Sequence, residues 1–262
     1  MLEPGSPPEA PAGRVDYDRI AARYDEHRSW DDEMARRLIR LAAGAPGIGT
    51  LLELGAGTGN LTGCLERNWP GAILALDRSR GMLSKARPKL SRAALVRADA
   101  SCPPLGPAQL DAAVGTFFLH HLDEAARRRL FRGLRLALRP GGGAAFLTTD
   151  HAQIRACALA RWFPSVARID CARFPEVGRV LGELRDAGFV GAGREGVVHE
   201  RGPGGAEYLE KVRARFISTL DLLEPAEFDA GLAAMRTQLE RDGRLGEISW
   251  RGTVVYARAP GG

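Results

Sequence analysis

The sequence predicts an α/β fold built on a doubly wound parallel sheet, and three observations carry that prediction. Short apolar runs alternate with helix-like runs from Thr50 onward. A glycine-rich turn, Gly55-Ala56-Gly57-Thr58-Gly59, follows the first apolar run directly. An acid, Asp77, closes the second run about 20 residues beyond that turn. Apolar strands covered by helices on both faces are what such a sheet requires.

Residues 1–14 are rich in proline, glycine and alanine and lack a basic start followed by an apolar run, so they read as a disordered leader. A single domain is expected over residues 15–262. Two helices are expected in residues 15–48: Tyr17, Ile20, Ala21 and Tyr24 share one helical face, and a second helix over 31–43 starts at acids and ends in Gly44-Ala45-Pro46-Gly47. Residues 49–150 hold the regular alternation, with strands at 51–54, 72–76, 94–96, 110–116 and 144–148 and helices at 61–66, 81–90 and 123–138. Pro140-Gly141-Gly142-Gly143 stops the last of these helices after Arg139 and turns the chain into the next strand. Beyond Asp150 a helical segment at 154–162 precedes a helix at 177–187, a strand from Phe189 and a final strand at 250–257. Helices at 206–223 and 225–241 fall between those last strands. Residues 151–175 and 203–245 together read as a helical cap over the strand ends.

Composition narrows the function. The 262 residues are 45% hydrophobic and 26% charged, which suits one large domain with a sizeable core. The net charge is +5, yet only Lys85, Lys89 and Lys211 are lysines. The arginines read as scattered beside Asp and Glu without a basic run interleaved with aromatics, which disfavours a nucleic-acid partner. Cys64, Cys102, Cys157 and Cys171 form no C-x-x-C pair, against a zinc ribbon or redox dithiol and in keeping with a reducing, cytoplasmic setting. No apolar stretch approaches the ~20 residues that span a bilayer, so no membrane association is expected.

Glycines at 55, 57 and 59 leave the main chain bare where a strand turns into a helix, so a ligand can lie against it, and the helix start offers N–H groups to an anionic group. The spacing is G-x-G-x-G, with Asn60 where a dinucleotide-binding G-x-G-x-x-G carries its third glycine, and Glu53 stands in the strand just ahead. On these residues the chain resembles the class I S-adenosylmethionine-dependent methyltransferases, particularly the group acting on small molecules, over residues 17–149. The resemblance implies a Rossmann-like sheet of seven strands, the last antiparallel, with S-adenosyl-L-methionine as cofactor. It further implies that Glu53 and the backbone of Gly55, Ala56, Gly57 and Gly59 hold the methionine part, and that Asp77 with the adjoining Arg78 holds the ribose. Met82 then packs on the adenine, Asp99 and Ala100 meet its amino group, and Thr116 and Phe117 floor the methyl-transfer site. Tyr24 and Tyr17 fold over the cofactor, Tyr17 on its substrate side. Read alone, Asp77 also suits a helix cap, Met82 plain core and Asp99 an exposed loop acid.

The segment Phe117-Phe118-Leu119-His120-His121-Leu122 lacks the Asn/Asp-Pro-Pro-aromatic signature of amino-directed nucleic-acid methylases, which leaves a smaller nucleophile favoured. Methyl transfer from a sulfonium is an in-line displacement and needs a base only where the nucleophile starts protonated. His121, and after it His120, is the candidate base, although both also read as packing groups. Asp150 alone is too little for a cation site, so no metal is expected. In the cap, Trp162, Phe163 and Phe216 are expected to wall a pocket, and Arg215 to meet an anionic group of a small organic metabolite, as in specialised metabolism. The alternatives are an RNA or protein substrate, motivated by the arginine excess, a non-catalytic cofactor-binding regulator, and a nicotinamide dehydrogenase built on the glycine turn.

Overall fold

A computed structural model describes residues 30–43 and 48–261, which leaves Tyr17 and Tyr24 outside the described residues. The core alternates as α1 (Asp32–Ala43), β1 (Thr50–Leu54), α2 (Asn60–Asn68), β2 (Ala72–Asp77), α3 (Arg80–Ala86), β3 (Ala94–Arg97), β4 (Leu110–Thr116), α4 (Glu124–Ala137) and β5 (Leu138–Thr148). After it come α5 (His151–Arg155), α6 (Ser165–Arg173), α7 (Val177–Asp186), β6 (Val190–Pro203), α8 (Ala206–Arg213), α9 (Pro225–Asp242) and β7 (Glu247–Arg258).

The strands form one seven-stranded sheet in the order β3-β2-β1-β4-β5-β7-β6. Leu51 pairs with Ile73 on one side and Ala112 on the other, both in parallel register, while β7 runs antiparallel to β5 and β6. The last strand is therefore the antiparallel one. Side chains alternate between two buried layers, as a doubly covered sheet demands. Leu51, Ile73, Ala112 and Val114 pack under α1 and α2, whereas Leu52, Leu54, Leu76 and Phe146 pack under α4 and α7. A third cluster, with Leu159, Phe163, Val212, Phe228 and Met235, joins α8 and α9 to the segment before α6.

Local chemistry explains most boundaries. Asp123 accepts the N–H of Ala126 at the start of α4, and Asp150 with Gln153 makes a reciprocal capping box on α5. Two expectations fail. Pro140 to Gly143 do not precede the fifth strand but form its irregular first half, because Leu138 already pairs with Leu110 and the register shifts before Ala112 meets Gly143. The segment read as one helix over 206–223 breaks after Arg213: Arg215 adopts φ of 52°, and a 3-10 turn at Ser218–Leu222 follows. The helical segment read at 154–162 is made of the end of α5 and a 3-10 turn at Ala158–Arg161.

Two helices are joined by charge inside the core. Arg127 of α4 donates through Nε and Nη2 to both oxygens of Glu183 on α7, at 2.9 and 2.8 Å, and through Nη1 to the carbonyl of Leu122. Both side chains are nearly without solvent contact, at 7% and 1% exposure. Removing one partner strands a buried charge, which costs about 3–5 kcal/mol. Glu183→Ala is therefore expected to lower unfolding stability by about that amount in urea titration, with an Arg127→Met/Glu183→Leu double variant recovering most of it. Equal loss in both variants would contradict this account.

Candidate active site at the carboxyl edge of the sheet

From β1 the chain winds outward to β2 and β3, then returns to β4 on the other side, so a crevice opens where the carboxyl ends of β1 and β4 part. The turn between β1 and α2 occupies it. Gly55, Gly57 and Gly59 have φ of 71°, 55° and 81°, a left-handed conformation that costs other residues about 1–2 kcal/mol. Space is as tight as the dihedrals. A Cβ on Gly55 would lie 2.7 Å from that of Phe118, and one on Gly59 would lie 3.0 Å from that of Ala86. The N–H groups of Gly55 and Ala56 donate to the carbonyl of Leu76 at 2.9 and 3.0 Å. The N–H of Gly57 donates to Asp77 Oδ2 at 2.9 Å, and that of Ser79 to Asp77 Oδ1 at 2.8 Å. Burial raises the Asp77 carboxyl above its usual range, against the pull of these hydrogen bonds.

Glu53 is 1% exposed within β1, and among the described residues its hydrogen bond comes from Thr62 Oγ1 at 2.6 Å. Burial pushes its pKa to about 8; the Thr62 hydrogen bond opposes the rise and the charge of Asp77 adds to it. Asp99, two residues past β3, is exposed, accepts the N–H of Ser101 at 2.8 Å and is held below the usual range by Ser101.

Past Thr116, at the end of β4, Phe117 takes φ of 49° and donates its N–H to Leu147 at 2.9 Å. Its ring stacks on Trp30 with centroids 6.0 Å apart and meets Trp250 edge-on at 5.4 Å. These three aromatic residues line a cavity of about 450 Å³ that also touches His120 and Phe174 and reaches the cap at Phe216.

A family model described as a methyltransferase domain matches residues 51–142, a span holding the glycine turn and the acids at 53, 77 and 99. A malonyl-[acyl-carrier protein] O-methyltransferase of Xylella fastidiosa is 31% identical over 134 residues, covering 48% of this chain and 44% of the relative. A trans-aconitate 2-methyltransferase of Methylobacterium nodulans is 35% identical over 132 residues, covering 48% and 49%. The chain spans about half the length of the curated relatives it matches. A solved structure from Anabaena variabilis, provisionally described as a methyltransferase from an antibiotic biosynthesis pathway, aligns with a TM-score of 0.69 at 17% identity, covering 89% of this chain and 99% of the other. Residues 51–142 thus carry a methyltransferase domain, set in a sheet with the fold of solved methyltransferases.

The residues of this domain fit S-adenosylmethionine as cofactor. A buried acid with no cation beside it among the described residues suits a ligand that brings an ammonium, and a glycine-rich turn suits a group lying flat on the backbone. Arg78 is exposed and accepts a hydrogen bond from Arg97 through its carbonyl, Met82 is 1% exposed beneath the Ser79 cap, and Ala100 packs at the core's margin.

The adjacent histidines, with ring centroids 3.9 Å apart, differ in exposure. His120 lines the cavity with its ring 4.1 Å from that of Phe174, whereas His121, the first choice from sequence, is exposed and does not line it. Trp162 does not line it either: it is buried in the cap, with its indole N–H given to Gln238 at 3.1 Å. Arg215 is likewise absent from the wall. The left-handed break swings its guanidinium over the Phe228 ring, 3.6 Å from the centroid, and onto the carbonyl of Leu220. Sequence reading missed Trp30, Trp250 and Asp170, which come together only through tertiary contacts. Among the described residues no cluster of His, Cys, Asp and Glu is arranged to hold a metal.

The raised Glu53 pKa has a consequence for stability. Between its ordinary value of 4.5 and about 8 the folded chain holds a proton that the unfolded chain has released. Stability is thus lost as pH rises through that window. The urea midpoint of the cofactor-free protein is expected to fall across it, and Glu53→Gln to make the fall shallower. Parallel profiles for the two proteins would show that Glu53 titrates normally.

Proposed function

We propose that this methyltransferase moves the cofactor's methyl group to oxygen, nitrogen or carbon of a small organic molecule held in the cavity under the cap. One observation carries the reading: the cavity opens on Phe117, immediately past the strand whose carboxyl end borders the cofactor turn. The sulfonium, when bound, supplies an electrophilic methyl and a leaving group. The chain's contribution is then alignment and exclusion of water. Glu53 takes the cofactor's ammonium and the bare backbone at residues 55–59 cradles its carboxylate end. Asp77 has lone pairs left for the ribose hydroxyls, and Asp99, with Ala100, takes the adenine amino group. Met82 and Arg78 flank that end, and Thr116 and Phe117 face the methyl. Where the nucleophile starts protonated, His120 is the histidine on the cavity wall that takes its proton.

One relative is named for trans-aconitate and another for a malonyl group on an acyl-carrier protein, which supports a small organic acceptor group, as does the wall of aromatic residues. The four free cysteines support a cytoplasmic setting, and among the described residues no helix is long and apolar enough to cross a membrane. A second reading, with an acceptor borne on RNA or protein, has one observation in its favour. Residues 78–97 contain seven basic side chains, all exposed, and no acid, so the basic residues are less scattered than the overall composition implies. Such a strip attracts phosphate or carboxylate groups. It holds no aromatic residue on which a base could stack.

In calorimetric titration S-adenosylhomocysteine is expected to bind and NAD not to; preferential NAD binding overturns the reading. Because the ammonium needs Glu53 ionised, affinity for S-adenosylhomocysteine is expected to rise with pH up to about 8, and Glu53→Gln to be weaker by roughly tenfold or more, about 1.4 kcal/mol, with a flat profile. Tight binding without turnover on any acceptor would favour a regulatory role. Retention of bulk tRNA or poly-glutamate at physiological salt, lost in an Arg80→Ser/Arg87→Ser/Lys89→Ser variant with unchanged S-adenosylhomocysteine affinity, would establish the second reading.

A further inference from the structure

Five charged side chains line the cap cavity, Asp31, Glu33, Arg37, Asp170 and Arg251, and Asp170 on α6 is the one drawn inside. Its side chain is 14% exposed. Arg37 is held at the margin between Glu33 and Glu195, and Arg251 is exposed. Among the described residues the cavity lining therefore offers an anionic acid no buried arginine or lysine; Arg173, as buried as Asp170, is not part of the lining.

Asp170 is held in one orientation. Thr219 Oγ1 donates to its Oδ1 at 2.7 Å, and Arg173 Nη1 reaches the same oxygen at 3.3 Å. Arg173 also donates to Thr219 Oγ1 and Ser218 Oγ, which ties α6 to the 3-10 turn at Ser218–Leu222. Both partners meet Oδ1, so among the described residues Oδ2 is the oxygen left to accept from a bound molecule. Burial raises the carboxyl above its ordinary range, opposed by Thr219 and Arg173. Around it the wall is apolar and aromatic, with Leu159, Phe174, Phe216 and Ile217.

We propose that Asp170 anchors the substrate through Oδ2, so that the acceptor molecule is largely apolar and carries a hydrogen-bond-donating head group, an amine or a hydroxyl. An amine gains the charge of the carboxylate as well as the hydrogen bond, and an alcohol gains the hydrogen bond alone. A carboxylate head meets a like charge in a desolvated site and is rejected. Trans-aconitate, the substrate in one relative's name, is the kind of molecule this wall turns away. The inference rests on the proposed use of the cavity, and deepens it to a substrate class.

The test uses three ring-matched probes, 1-naphthylmethylamine, 1-naphthalenemethanol and 1-naphthoic acid, titrated into the full chain with and without saturating S-adenosylhomocysteine. The expected order is amine, then alcohol, with the acid at least tenfold weaker than either. Asp170→Asn is expected to weaken the amine about tenfold and the alcohol less than threefold, with S-adenosylhomocysteine affinity unchanged. The wild-type order is read without any variant, so a poorly folding Asp170→Asn leaves the proposal open to refutation. Acid binding as tight as the amine, no binding by any probe, or an amine affinity indifferent to Asp170→Asn would each overturn it. Failure of S-adenosylhomocysteine to bind while the probe order holds would overturn the cofactor reading and leave the anchor standing.

Discussion

The carbonyl of Leu76 accepts from both Gly55 and Ala56, and the carboxylate of Asp77 from Gly57, so the first turn of the sheet is fastened to the end of its neighbouring strand. This fastening depends on the parallel register that sets Leu54 beside Leu76. It also depends on a chain without side chains at three left-handed positions. The glycines clear space for the protein as much as for a ligand: Phe118 closes over Gly55, and α3 approaches Gly59 through Ala86. A side chain at either point would displace an element that forms the crevice. Asp77 consequently has a structural duty before any cofactor arrives, which reconciles its reading as a capping acid with its reading as a ribose ligand.

Buried charge is handled in two ways, and the contrast separates structure from function. Glu183 meets Arg127 through two hydrogen bonds, and the pair is neutral within the protein. Glu53 is as deeply buried but has a threonine for company, and its neighbour Asp77 is another acid. A fold gains nothing from that arrangement on its own, since desolvation and like charge both disfavour the ionised form. The arrangement becomes favourable when a cation is added from outside. A perturbed acid without an internal counter-charge is thus a stronger mark of a binding site than burial alone.

What the sequence disclosed follows from how local each signal is. Strands β1 to β4 were legible because each is a short apolar run bounded by turn residues, and the glycine turn because its spacing lies within five residues. Helix α6 was not, since Val166 is its single buried residue and no stripe of apolar positions marks it. The break at Arg215 was hidden because Tyr208, Lys211, Val212, Arg215 and Thr219 keep helical spacing through a residue that is left-handed in the fold. The cavity wall was the least legible. Asp170 and Thr219 are 49 positions apart, and Trp30, Phe117 and Trp250 come from three regions of the chain. Adjacent histidines with opposite surroundings cannot be ranked by spacing at all.

The family match ends at Gly142, before any residue of the cap, and the geometry gives a reason. Strand β5 pairs with β7 only between Arg258 and Thr253, so residues 247–252 of β7 pair with β6 alone. This two-stranded ribbon continues past the sheet and carries Ile248 and Trp250 to the cavity, while the rest of the cap wall comes from α5, α6 and the segment joining them, between β5 and β6, and from α8 and the turn after it, between β6 and β7. The cofactor half is constrained by backbone approach and tolerates little change. The cap touches the core chiefly through this ribbon and the segment after β5, so its lining can vary without moving the glycine turn. On the proposed use of the cavity, substrate choice falls to side chains on a separately packed cluster, and Phe117 joins the two halves: its backbone is bonded to the sheet through Leu147, and its ring lines the cavity.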